Sequence, residues 1–136
     1  MNFLLLKSWE QGMGKKINIL VEDLKVEAEL NDSKTARLIW EGLPIEAKVN
    51  LWGEEIYFAI PVKAGLEQGA REVVSSGELG YWPTGHAFCI FFGPTPASRG
   101  DEIRAASAVN VIGKVLGDPK VFLKIKDGVK ITLEKV

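Results

Sequence analysis

Residues Gly77 to Pro96 read GELGYWPTGHAFCIFFGPTP. This stretch holds the only His (His86), the only Cys (Cys89) and three of the six Phe (Phe88, Phe91, Phe92). It reads as strand, sharp turn, strand. Gly80 and Pro83-Thr84-Gly85 punctuate an apolar and aromatic run, and Gly93-Pro94 closes it. Phe88, Ile90 and Phe92 alternate with Cys89 and Phe91. The three bulky residues therefore share one strand face, expected to be the interior, and Phe91 takes the other.

The same alternation extends toward the N-terminus. Ile17, Ile19 and Val21, then Leu24, Val26, Ala28 and Leu30, recur at a period of two on either side of Glu22-Asp23, which predicts a hairpin with one buried face. The period then becomes helical: Ala36, Ile39, Trp40 and Leu43 form one stripe, Asp32 stands where a cap is needed, and Gly42 and Pro44 stop the helix. Trp40 on that stripe reads as core. A second hairpin runs from Ala47, Val49 and Leu51 through Gly53-Glu54 to Ile56, Phe58 and Ile60. Residues 61–76 look irregular, and a connection of that length is often functional.

Toward the C-terminus, residues 97–106 read as a loop and residues 108–115 as a strand. Asp118-Pro119 opens a short helix with Asp as cap and Pro at its first position, and Val121, Phe122 and Ile125 are its apolar side. Asp127-Gly128 turns the chain into a last strand carrying Val129, Ile131 and Leu133. The count is eight strands, mostly in hairpins, and two helices. Hairpins argue against parallel winding. The predicted fold is mainly β: a closed eight-stranded antiparallel barrel capped by two short helices. Residues 1–16 are read as an N-terminal extension, with Phe3 to Leu6 an edge strand or flexible, and residues 17–136 as a single domain.

Composition narrows the function. With 17 basic and 18 acidic residues the net charge is −1, so no broad basic field attracts nucleic acid or anionic lipid. One Cys and one His exclude a disulfide and the common zinc sites, and no metal or cofactor is predicted. No segment approaches the ~20 apolar residues that span a bilayer, so neither membrane nor nucleic acid is an expected partner and the cytoplasm is the expected location. Gly93-Pro94-Thr95-Pro96 and Gly113-Lys114-Val115 contain pieces of a phosphate loop without its spacing.

Several groups invite a chemical reading. Cys89 and His86 could be a nucleophile and its base, but three residues apart at a strand start they fall on opposite faces. A buried thiol and a turn His is the simpler reading. Glu54-Glu55 and Asp101-Glu102 sit at turns and read as solvated charge rather than a catalytic pair. Tyr81 and Trp82, beside the Pro-Thr-Gly turn, can form a concave apolar shelf with polar tips. Arg104 is placed to hold a carboxylate or peptide carbonyl. Asn110, near apolar strand sequence, is expected to satisfy backbone groups.

Three segments carry a family resemblance: Gly80 to Pro96, Asn50-Leu-Trp-Gly-Glu-Glu-Ile-Tyr-Phe58, and Ser107-Ala-Val-Asn-Val-Ile-Gly-Lys114. Together they resemble a family of small prokaryotic cyclophilin-like proteins of unassigned function, over residues 17–136. The resemblance implies the same closed barrel. It is more distant to true cyclophilin prolyl isomerases. Their catalytic Arg lies in a Phe-His-Arg-Val segment that does not occur here, Ser76-Gly77 lacks their neighbouring Gln, and their pocket His falls at Val109.

The expected function is therefore a barrel that binds a peptide or a small molecule, with Tyr81, Trp82, His86, Phe91 and Arg104 as candidate contacts. The alternative is a divergent prolyl isomerase, with Arg104 in place of the missing Arg, or another small enzyme using His86 as base. A third reading makes the apolar groove a homo-oligomer interface.

Overall fold

The computed structural model describes residues 14–136. The edge strand expected at Phe3 to Leu6 lies outside them. Hairpin β1 (Lys15–Val21) and β2 (Leu24–Leu30) forms as the alternation requires, with Ile17 opposite Ala28 and Ile19 opposite Val26. Its tight turn puts Glu22 in the left-handed region at φ 53°. Helix α1 (Lys34–Glu41) follows. Its cap is Ser33 rather than the expected Asp32: the Ser33 hydroxyl accepts from the Ala36 N–H at 3.2 Å. Ala36 and Ile39 are buried, and Trp40 and Leu43 pack half-buried against the core.

The single strand expected around Val49 is two, β3 (Ile45–Lys48) and β4 (Asn50–Leu51). They belong to opposite ends of the sheet. β3 pairs with β10 (Lys130–Lys135), and β4 pairs with β5 (Glu55–Ala59). Val49 between them bonds to the turn before β10, donating to Val129 O and accepting from Gly128 N, both at 2.8 Å. β6 (Arg71–Val74) lies within the stretch read as irregular. β7 (Glu78–Trp82) and β8 (Ala87–Phe91) are the third hairpin, joined by a 3-10 turn at Pro83–Gly85. β9 (Ile103–Val115) begins well before residue 108, because its first half is too small and polar to show a period in sequence.

The strands hydrogen-bond in the order β3-β10-β1-β2-β9-β7-β8-β5-β4, with β6 added beside β9. Every pairing is antiparallel. The architecture is mainly β with two short helices, α1 and a 3-10 helix at Pro119–Lys124 capped by Asp118. Hydrogen bonds do not close the sheet into the expected eight-stranded barrel. There are ten strands among the described residues, and no ladder joins β3 to β4. The covalent chain, bending through Val49, links the two ends instead. A strand that must change partners midway breaks its own ladder, which alternation alone does not reveal.

Two apolar clusters lie on the two sides of the sheet. The larger contains Ile17, Ile19, Phe58, Phe88, Ile90, Phe92 and Leu133, which includes the face expected of Phe88, Ile90 and Phe92. The smaller gathers Val74, Ala87, Cys89, Phe91, Ile103, Ala105 and Val109 beneath the first half of β9. Gly80 is mid-strand rather than a terminator. A Cβ there would come 3.0 Å from Val109 Cγ2 and 3.1 Å from Phe91 Cε2, so glycine lets β9 close over β7 and β8.

The long connection after Ile60 is tied down. Tyr81 donates its hydroxyl to Val62 O at 2.5 Å and accepts from Ala64 N at 3.3 Å. Buried Asn110 donates to Gly65 O at 2.9 Å and to Thr35 Oγ1 at 3.0 Å, and accepts from Glu67 N at 2.8 Å. Asn110 thus satisfies backbone groups, as expected. Asn110→Ala should destabilise the fold by about 2 kcal/mol, since it strands buried partners. Amide exchange should accelerate selectively at residues 64–67. An unchanged exchange pattern would show that the other bonds suffice.

Candidate functional site

Strand β5 has a core face and an outer face. Ile56 and Phe58 point into the larger cluster, so Glu55 and Tyr57 point the other way. The β4–β5 turn that precedes them is held rigidly. Gly53 sits at φ 60°, and a Cβ there would lie 2.9 Å from Thr95 Cα. Glu54 N donates to Pro94 O at 2.9 Å and Phe92 N to Glu54 O at 3.0 Å. Gly93 to Pro96 therefore serve as a bed for this turn, which brings Trp52 over the outer face.

Trp52, Glu55 and Tyr57 form one side of a cavity of about 180 Å³. Trp82, at the end of β7, and Ala105, Ala106 and Val109 of β9 form the other. Tyr57 and Trp82 meet edge to face, with centroids 6.5 Å apart at 84°. The Trp82 indole N–H donates to Ser107 Oγ at 2.7 Å, which fixes the ring.

Glu55 is the unexpected member. Read from sequence as solvated turn charge, it is only 5% exposed. Burial pushes its pKa from 4.5 up to about 7, partly offset by the Cys89 thiol beside it. No ion pair among the described residues involves it. Cys89 is buried as well. Burial first, and then the Glu55 carboxylate, push its pKa well up, so it stays a thiol and behaves as a small apolar residue.

Of the five residues singled out in the sequence, the cavity brings in Trp82. Tyr81 is fully buried on the opposite face, with its hydroxyl committed to the 62–64 backbone. Phe91 does lie on the outer face, opposite Glu55 across the β5–β8 ladder, but fully buried within the smaller cluster. His86 is exposed in the left-handed region at φ 49°, following the 3-10 turn. It contributes its backbone, accepting from Ile60 N at 2.9 Å. Arg104 pairs with Glu102 at 2.7 Å and Glu72 at 3.0 Å, away from the cavity lining. Trp52 and Tyr57 are not among the residues singled out in the sequence, and Glu55 is read there as solvated turn charge. Their alternation with Ile56 and Phe58 was a usable signal, but it shows only that they face outward, not that β9 covers them.

A family model described as Cyclophilin-like matches residues 15–134. The chain belongs to the cyclophilin-like family. Among the five solved chains that match is the solution structure of a hypothetical protein from Archaeoglobus fulgidus. It is 37% identical, with a TM-score of 0.79, and the match covers 93% of this chain and 98% of that one. No curated protein matches. This cyclophilin-like chain therefore shares its fold and much of its sequence with an archaeal relative described as a hypothetical protein. Among its described residues no helix is long and apolar enough to cross a membrane, and no three His, Cys, Asp or Glu side chains converge on a metal position.

Proposed function

We propose that this cyclophilin-like protein is a binding module for a small molecule, with the outer-face cavity between β5, β7 and β9 as its site. One observation carries the reading: a buried carboxyl without a charged partner opens onto a space walled by aromatic rings. Structural interiors seldom keep such a group, because burying it costs several kcal/mol unless something pairs with it. Size favours a small ligand over a peptide segment. An apolar cavity of about 150 Å³ accommodates one benzene ring, and this one is about 180 Å³. Val109, which the resemblance aligns with the pocket His of true cyclophilins, is one of its walls.

The second reading is catalytic. An acid with a pKa of about 7 in a cavity is suited to proton transfer. Beyond the Tyr57 hydroxyl and the two indoles, the lining supplies Ala105, Ala106 and Val109, and no second carboxyl or basic group completes a reaction centre. Together with the unmatched isomerase residues, this favours binding.

A fragment titration followed by amide-resolved NMR tests the site. Shifts should cluster at Trp52, Tyr57, Trp82 and residues 105–109. Trp82→Ala should weaken such hits about ten-fold or more while lowering stability by only about 1–2 kcal/mol. Hits that cluster elsewhere, or that bind Trp82→Ala unchanged, would remove the site. Faster cis–trans exchange of an added proline peptide, lost in Glu55→Gln, would promote the catalytic reading.

A further inference from the structure

We propose that the cavity is an aromatic box for a small alkylammonium cation, with Glu55 as its counter-ion. This rests on the ligand-binding reading and names the chemistry of the occupant. Tyr57 and Trp82 stand nearly perpendicular, at 84° with centroids 6.5 Å apart, and Trp52 adds a third aromatic wall. Aromatic faces attract cations through the ring quadrupole, and quaternary ammonium groups are the usual guests of such arrangements. The polar edge of Trp82 is already engaged by Ser107, so the remaining surface of the indole is aromatic carbon.

Charge decides between guests of similar shape. Glu55 is buried, has no ion pair among the described residues, and no basic side chain lines the cavity. A cation supplies the missing counter-charge. An anion would meet a like charge and no basic side chain. A neutral hydrocarbon would fit the walls but leave the carboxylate, hydrogen-bonded to the Cys89 thiol, without a counter-charge. The volume of about 180 Å³ holds one compact headgroup rather than an extended chain. The titratable groups at the cavity are Glu55, the adjoining Cys89 thiol from β8 and the Tyr57 phenol of β5. Trp82 from β7 and Ala105, Ala106 and Val109 from β9 carry no charge, so pH acts on binding chiefly through Glu55.

Tetramethylammonium and tert-butanol have similar shapes and differ in charge, which makes them a matched pair of probes. Each is titrated into the full isotope-labelled chain. Tetramethylammonium should shift the Trp82 indole N–H and bind at least about ten-fold more tightly than tert-butanol above neutral pH. Its affinity should fall roughly ten-fold per pH unit on acidification below the Glu55 pKa, because a proton competes for the carboxylate. In Glu55→Gln both the preference for the cation and its pH dependence should vanish, with the Trp82 N–H signal still reporting a folded box. Equal affinity for the two probes, or a preference that survives Glu55→Gln, overturns the cation assignment and leaves the binding site standing. No shift at the lining residues from either probe, nor from any fragment, overturns both.

Discussion

Glu55→Gln should make the protein more stable at alkaline pH and leave it unchanged in acid. The carboxyl is raised from 4.5 to about 7 by burial. Between those values the folded state holds the proton and the unfolded state does not. Stability therefore falls as pH rises through that window, and the loss is complete above the folded pKa. Its size is about 3 kcal/mol, from 1.36 kcal/mol for each pH unit separating the two pKa values. Glutamine keeps the shape and polarity but cannot ionise. At about pH 8 the variant should exceed the wild type by up to about 3 kcal/mol, and at about pH 4 the two should coincide. Urea unfolding across that range gives the difference directly, and other titrating groups cancel. Parallel curves would mean that water reaches the carboxylate freely, which would weaken the case for both proposed roles of Glu55. A stabilising substitution at a cavity residue is the usual mark of a group retained for function at the expense of the fold.

Phe91→Ala should be the most damaging change on the outer face. Phe91 is fully buried among Val74, Cys89, Ile103, Ala105 and Val109. Its ring lies close enough to Gly80 that even a methyl group there would approach within 3.1 Å. Removing a buried Phe ring costs about 3–5 kcal/mol, because the lining does not collapse into the void. The expected fall in Tm is roughly 10–20 °C for a domain of this size. Trp82→Ala, by contrast, should cost only about 1–2 kcal/mol of stability while weakening binding about ten-fold or more. Calorimetry on the two variants separates a buried core residue from a cavity wall residue. A Phe91→Ala protein that melts like the wild type yet loses its ligand would return Phe91 to the role of direct contact.

Much of the scaffold was written locally. Alternation marked β1, β2, β5, β8 and β10, and it identified Phe88, Ile90 and Phe92 as core. Asp118 and Pro119 started the second helix where cap chemistry requires. The failures share a cause. Val49 looks like the middle of one strand but is the hinge between two sheet ends. Residues 103–106 look like a loop because small Ala residues carry no period, yet they extend β9 over the smaller cluster. β6 pairs with β9 partly along that extension, Val73 and Val74 lying opposite Arg104 and Ile103.

The candidate site follows the same division. By itself the sequence determined the family, the antiparallel character and the alternating faces, because each depends on neighbours a few residues apart. It also kept Trp82 in view through its turn. Only the tertiary structure decided that Tyr81 serves as a latch and that Arg104 is held by Glu72 and Glu102. It alone turned Glu55 from a turn charge into a buried acid. Burial of a strand's outer face is set by whatever crosses above it. Here that is the first half of β9, about fifty residues away in the chain, and no local pattern records its arrival.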